Sequence, residues 1–320
     1  MESCMDAEIS MVRNGRILPL WRRLWIYQAE RFPLLSHGLL VTIMAAGSLG
    51  FSARARGQAA WPGWLALAAA SFCALGFFFQ LRVADEYKDF HDDQAHRPYR
   101  PVPRGLIRLE ELALLAVTVA GIQAGLTLWL GPALLPFLLA VWAYMAAMRW
   151  EFGLHRWLRA RPWLYLASHM VIVPLIVLFL TAWDWRLRGS NAPPGLGWFL
   201  ALGFFNGVLF EVGRKVRAPA DEEAGVETYT ALWGCRKATL AWLAALALAA
   251  LCALAAARPV GMVEWTGSVA AGLGVWAIIA ARRFLQRPVT ARARQVPLIS
   301  ALWVLALYVV LGILPFLLPG

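Results

Sequence analysis

The chain has 320 residues, of which 60% are hydrophobic and only 15% charged, and it carries a formal net charge of +11. Its mean hydropathy is +0.59, whereas a soluble domain of this size has about a quarter of its residues charged. That excludes an ordinary soluble enzyme and points to a polytopic membrane protein built as one helical domain.

In chain order, residues 1–32 are polar and then amphipathic. The run L-P-L-W-R-R-L-W-I-Y interleaves Arg22 and Arg23 with Trp21, Leu24, Trp25 and Ile26, as expected of an interfacial helix that anchors the chain at headgroup depth. Residues 33–320 then hold about nine apolar spans, at roughly 33–52, 62–81, 109–130, 132–148, 163–183, 196–212, 238–257, 261–281 and 296–318, each about long enough to cross ~30 Å of hydrocarbon. Only helices satisfy their backbone locally in lipid, so the expected fold is all-α, with the nine helices bundled around a central cavity. Small residues crowd the seventh span and the stretch G-S-V-A-A-G-L-G of the eighth, which predicts close helix packing there. The cysteines Cys4, Cys73, Cys235 and Cys252 show no metal spacing and read as packing residues without disulfides.

With the N-terminus placed in the cytoplasm, alternating segments assign 25 of the 30 Lys and Arg to the inner side, leaving Arg54, Arg56, Arg186, Arg188 and Arg258 outside. This bias explains the positive charge through topology and removes any need for a nucleic-acid partner. It also places the C-terminus outside.

The acidic residues cluster too. Between the second and third spans, Arg82 to Gly105 holds Asp85, Glu86, Asp89, Asp92 and Asp93. Asp85, Asp89 and Asp92 lie at i, i+4 and i+7, one face of a continuous helix. Mutually repelling carboxylates call for a cation, and Mg²⁺ is suited because it shares oxygen ligands between a few carboxylates and a substrate's phosphates. A second stretch after the sixth span alternates Glu211, then Arg214, Lys215 and Arg217, then Asp221 to Glu223. Carboxylates for Mg²⁺ with Arg and Lys for the remaining oxygens suit a diphosphate held as a leaving group. A pair of salt-bridged loops is the structural alternative. Both stretches face the cytoplasm in the assigned orientation.

The two stretches resemble the paired aspartate-rich motifs of the UbiA superfamily of intramembrane prenyltransferases. In that family N-D-x-x-D-x-x-x-D is followed by R-P-x-P-x-G; here A-D-E-Y-K-D-F-H-D-D precedes R-P-V-P-R-G at 100–105, and Asp221, Gly225, Thr228 and Gly234 fit the tail of the second motif. The register puts Asp85 and Asp92 on motif aspartates. It also puts Ala84 where the family has Asn, Lys88 at the middle Asp position with Asp89 one residue on, and Arg217 at an upstream Asp of the second motif. The resemblance implies an Mg²⁺-dependent transfer of a prenyl group from a prenyl diphosphate to a lipophilic or aromatic acceptor within the membrane. The expected metal ligands are Asp85, Asp89, Asp92, Glu211 and Asp221. Arg149 joins Asp85, Asp89, Asp92 and Asp221 as a catalytic candidate, and Lys88, Arg97, Arg100, Tyr144, His169, Asn206, Arg214 and Lys215 are expected around the substrate. His169 and Asn206, polar within spans, are read as buried groups serving a cavity or a helix-to-helix bond, and Trp142 as a lining residue of a greasy channel. A terpene cyclase acting on the same diphosphate is the alternative within the enzyme class. A transporter is the alternative outside it, although transporters place ionisable groups near the midplane.

Overall fold

The structure, a computed structural model, describes residues 18–318; the first 17 residues of the expected 1–32 segment, Cys4 among them, lie outside the described residues. Among the described residues there is no strand, and nine helices are long and apolar enough to cross a membrane: Leu34–Ala55, Trp64–Lys88, Leu109–Leu130, Pro132–Arg149, Pro162–Trp185, Leu196–Arg214, Tyr229–Ala257, Val263–Gln286 and Thr290–Phe316. They are called the first to ninth spans below. Spans joined by short connections alternate in direction, so the carboxy-terminal ends of the second, fourth and sixth share one face.

Several spans differ from their predicted bounds, the eighth running on to Gln286 and the ninth beginning at Thr290. The second runs on to Lys88, so the first acidic stretch begins inside the helix rather than after it. The seventh begins at Tyr229, where the Thr228 hydroxyl accepts the Ala231 N–H at 3.0 Å as a helix cap. Gly234, at φ 78° and ψ 157°, then breaks it before the long apolar run. The fifth divides into Pro162–Met170 and Ile172–Trp185, because Pro174 lacks the N–H that would bond the Met170 carbonyl.

The tightest glycine contact among the described residues joins the first and ninth spans. A Cβ on Gly50 would lie 1.8 Å from the Gly312 carbonyl oxygen, and one on Gly312 would lie 1.9 Å from that of Gly47, so the two backbones touch. The small residues of the seventh span are buried as expected, Ala245, Ala249, Ala253 and Ala256 among them. Those of the eighth pack in part: Gly267 faces Leu254 of the seventh span and Ala270 packs against the core, whereas a Cβ at Gly272 or Gly274 would meet open space. Cys73 and Cys252 are buried free thiols, in accord with a packing role, and Cys235 is half-buried.

At the face opposite the acidic stretches, Asp184 is 1% exposed. It accepts from the Ser52 hydroxyl at 2.7 Å and from Arg56 Nη2 at 2.7 and 2.8 Å, tying the fifth span to the first. Leaving Arg56 without this partner would cost about 3–5 kcal/mol.

The helix Leu20–Arg31 does more than float at an interface. Arg23 makes a two-pronged ion pair with Glu111 (2.8 and 2.9 Å), Glu30 pairs with Arg104 at 2.7 Å, and Arg31 Nε reaches Glu86 at 2.7 Å. Its Tyr27 is buried in a small apolar cluster with Val83, Val102, Ile107 and Leu112.

Candidate active site at the carboxy-terminal ends of the second and sixth spans

Asp85 lies in the last turns of the second span, its side chain 51% exposed and 3.3 Å from Arg82. The Asp89 N–H donates to the Asp85 carbonyl at 2.8 Å, which carries the helical path one residue beyond Lys88. Asp89 then adopts φ −89°, ψ 3° and closes the helix, and Phe90–His96 starts a new one. Asp85 and Asp89 thus stand one turn apart, while Asp92 leaves on the short helix, exposed and without an ion pair among the described residues. The expected single face of three carboxylates is therefore a pair, because the helix ends at Asp89. Burial pushes the Asp89 carboxyl above the usual carboxylate range, and the charges of Asp85 and Asp93 add to the shift.

Arg97 and Arg100, expected at the substrate, are engaged elsewhere. Asp93 is 1% exposed and receives Arg100 Nη1 at 2.6 and 2.8 Å, with Arg97 Nε at 3.4 Å and Arg31 at 3.9 Å. The R-P-V-P-R-G turn is thus pinned to the short helix and to Leu20–Arg31. Its own fold is closed by the Leu106 N–H on the Pro101 carbonyl, with Gly105 at φ 75°.

At the end of the sixth span Glu211 pairs with Arg214 at 2.5 Å and Lys215 at 3.0 Å. The Lys215 ammonium stands 5.3 Å over the Tyr229 ring, which stacks on Trp233, itself stacked on Trp163. The charges of Arg214, Glu211 and Lys88 all act on Asp85, so the second and sixth spans bring their polar ends together, with the fifth span packed against both. Glu211 is the carboxylate of the second stretch whose charge reaches Asp85. Asp221 is not gathered with them: its Oδ1 accepts from the Thr290 hydroxyl at 2.8 Å, and it lines a separate cavity of about 480 Å³ with Arg217, Glu223 and Arg294. The two acidic stretches also touch through Gly225, at φ 76°, where a Cβ would lie 2.5 Å from the His96 ring.

Lys88 forms a 2.6 Å ion pair with Glu151, donates to the Tyr165 hydroxyl and lies 4.7 Å over the Tyr165 ring. Sequence reasoning missed Glu151 and Tyr165. The only local signal for Glu151 is Gly153, within a tight turn in which Glu151 and Phe152 both take positive φ, 48° and 56°, a conformation costing non-glycine residues roughly 1–2 kcal/mol. Burial pushes the Glu151 carboxyl up, but Lys88 and His155 outweigh it and hold the group below the usual range. Tyr165 stacks on His169 at 4.0 Å, and His169 Nδ1 pairs with the Tyr165 carbonyl at 2.9 Å, a contact within its own helix rather than between helices. Tyr144 does bridge helices, its hydroxyl donating to the Ser168 carbonyl at 2.6 Å. Arg149 is exposed and stands 4.9 Å over the Tyr87 ring. Asn206 is buried with neither polar atom in a hydrogen bond of normal geometry, and the Tyr308 hydroxyl lies toward it equally unpartnered.

Among the described residues, no three His, Cys, Asp or Glu side chains converge closely enough to hold a metal ion by themselves. Mg²⁺ does not need such a cage, since one or two carboxylates plus substrate phosphates usually hold it. Asp85 with Asp89, the latter having no ion pair among the described residues, offers those two hard oxygen donors, and the carboxylates around Asp89 favour a divalent ion there. The residues present fit Mg²⁺ brought in with a phosphate-bearing ligand.

The model of a family described as the UbiA prenyltransferase family matches residues 39–305. No curated protein matches the chain. Among solved structures, a UbiA homologue from Aeropyrum pernix K1 superposes with a TM-score of 0.63 at 16% identity, over 87% of this chain and 98% of its own. A structure of digeranylgeranylglyceryl phosphate synthase gives 0.59 at 14% identity, over 93% and 100%. A UbiA homologue from Archaeoglobus fulgidus, bound to DMAPP and Mg²⁺, gives 0.54 at 12% identity, over 90% and 99%.

Proposed function

The chain belongs to the UbiA prenyltransferase family, and from that premise we propose that it transfers a prenyl group from a prenyl diphosphate to a lipophilic or aromatic acceptor within the membrane. The observation that carries this reading is that the polar ends of the second and sixth spans share one mouth of the bundle, where Asp85 pairs with Arg82 and Glu211 with Arg214 and Lys215. The mixed charge suits an anionic head that arrives with its own cation, and the apolar spans beneath suit an isoprenoid tail. The Mg²⁺-bound Archaeoglobus homologue supports the choice of ion.

In this reading Asp85 and Asp89 would hold Mg²⁺, which would supply positive charge to neutralise the departing diphosphate. Arg214 and Lys215 turn from Glu211 to the remaining phosphate oxygens, and Lys88, oriented by Glu151, adds a third contact. The bond between the first prenyl carbon and oxygen breaks, the oxygen keeps the electron pair, and the diphosphate leaves. The acceptor forms its new bond to that carbon and gives up a proton. The stacked Tyr165 and His169 wall the site on the fifth span. Positive-inside topology puts this mouth in the cytoplasm.

The test is to incubate the purified protein in lipid nanodiscs with Mg²⁺, membrane lipid extract and a panel of prenyl diphosphates, then analyse lipids and released diphosphate by mass spectrometry. A prenylated lipid formed in step with diphosphate, and lost on chelation, is the expected result. Diphosphate release with a cyclic hydrocarbon and no acceptor adduct would replace transfer by cyclisation. No turnover of any diphosphate would overturn the assignment.

A further inference from the structure

The two acidic stretches differ in what their carboxylates already hold. In the first, Asp85 is half exposed with Arg82 at 3.3 Å, and Asp89 one turn on has no ion pair among the described residues. In the second, four of the five acidic side chains from Glu211 to Glu227 are engaged. Glu211 takes Arg214 at 2.5 Å and Lys215 at 3.0 Å. Asp221 accepts from the Thr290 hydroxyl of the ninth span at 2.8 Å. Glu222 accepts from the Thr228 hydroxyl at 2.6 and 2.7 Å and from that of Thr230 at 2.6 Å, and Glu223 pairs with Arg217 at 3.1 Å. Glu227 remains, exposed and single.

These contacts are built into the fold. Thr228, which donates to Glu222, is the residue that caps the seventh span, and both it and Thr230 are buried. The Thr290 bond holds Asp221 in a cavity whose lining does not include Glu211. The second stretch therefore offers no pair of free carboxylates, whereas Mg²⁺ usually takes one or two carboxylates together with substrate phosphates. What it does offer is base: the Arg214 and Lys215 side chains are 49% and 33% exposed, and such groups bind phosphate oxygens directly. The sequence agrees. Against the family motifs, Lys88 and Arg217 each stand at an Asp position. Exchanging a carboxylate for a base removes a negative charge and adds a positive one, the same change that a divalent ion brings.

We infer that the site takes a single divalent ion, at Asp85 and Asp89 of the first stretch, and that the second stretch meets the diphosphate through Arg214 and Lys215 in place of a second ion. The inference rests on the prenyl-transfer reading and narrows it. Glu211 and Asp221, expected among the metal ligands from their motif, become positioning residues: Glu211 orients the two bases, and Asp221 ties the loop to the ninth span. Lys88, whose charge reaches both Asp85 and Asp89, further disfavours a second cation at the first stretch.

The experiment uses the full chain in phosphatidylcholine nanodiscs, with Mn²⁺ as the ion and two unreactive analogues, dimethylallyl and geranylgeranyl S-thiolodiphosphate. Protein is kept in excess over analogue. Electron paramagnetic resonance counts bound Mn²⁺, and radiolabel counts bound analogue. One Mn²⁺ per bound analogue is expected, with no spin coupling between ions. Glu211→Gln and Asp221→Asn should each keep that count. Asp89→Asn should weaken the ion by at least about 10-fold, the loss that even a supporting partner of a metal ligand causes. Lys215→Gln should weaken the analogue by about 10-fold, the scale for a charged hydrogen bond, without changing the count. Two Mn²⁺ or none per bound analogue in the unmodified protein would overturn the single-ion inference, and so would loss of the ion in Asp221→Asn; turnover of the natural diphosphates decides prenyl transfer separately. Binding of neither analogue would overturn both. The count in the unmodified protein decides the matter if a variant folds poorly.

Discussion

Gly225→Ala probes the contact between the two acidic stretches. The substitution asks for a side chain at φ 76° and places its methyl carbon 2.5 Å from the His96 ring. The left-handed conformation alone costs about 1–2 kcal/mol. Carbon contacts are comfortable at roughly 3.5–4.0 Å, so the ring or the loop must also retreat by about 1 Å. A displacement of that size near reacting groups costs on the order of 100-fold in rate. The loop sits at the surface, so most of the cost should appear as misplacement and little as unfolding. We expect kcat/KM for prenyl transfer to fall about 10- to 100-fold in Gly225→Ala, with Tm lowered by only a few degrees. Removing the obstructing ring in Gly225→Ala/His96→Ala should recover most of the steric part and leave the backbone part. His96→Ala alone should be nearly neutral. Steady-state kinetics on the four proteins, with thermal unfolding in detergent as the control, give the coupling energy directly. Unaltered kinetics in Gly225→Ala, or no recovery in the double variant, would refute the idea that this contact sets the distance between the stretches.

Other outcomes follow from the same geometry. Asp85→Ala should lower turnover by at least about 100-fold, the scale for losing a group that stabilises developing charge, and radiolabelled prenyl transfer would read it. Asp89, with its folded pKa raised, is more stabilising protonated than ionised, so that contribution is present below about pH 3.9 and is lost as pH rises through the folded value. Asp89→Asn should therefore raise Tm at neutral pH, the gain should vanish in acid, and Mg²⁺ plus a prenyl diphosphate analogue should stabilise it less than the unmodified protein. Glu151 has the opposite sign: its contribution is present above about pH 4.3 and lost as pH falls through its lowered folded value, so Glu151→Gln should flatten the acid limb of a Tm-against-pH curve. Asp184→Ala should destabilise by about 3–5 kcal/mol, measured by denaturant titration in micelles, while the surviving folded fraction binds prenyl diphosphate unchanged.

Hydropathy located the nine spans because apolar length is all a bilayer demands. Their ends were less legible, since Asp85 continues its helix past the apolar run and local composition does not say where a helix leaves the hydrocarbon. The i, i+4, i+7 spacing placed Asp85 beside Asp89 correctly but carried Asp92 along, because nothing in D-F-H-D-D announces the cap at Asp89. Arg100 was read as a substrate contact from its motif, and only the fold reveals that the buried Asp93 occupies it. Lys88 with Glu151, and Gly225 with His96, join residues 63 and 129 positions apart, distances over which spacing carries no information.

The glycine crossing of the first and ninth spans has a consequence for biogenesis. Gly50 and Gly312 are 262 residues apart, so the seam between them forms only after the last helix has been released into the bilayer. Until then the first helix presents Gly47 and Gly50 to lipid as a bare notch. Non-local closures of this kind are slow and leave intermediates exposed, which marks this seam as the step where a membrane insertase or quality-control protease would discriminate finished molecules from unfinished ones. Pulse-chase proteolysis of Gly312→Val, with the unmodified protein alongside, would reveal the delay as prolonged sensitivity to cleavage.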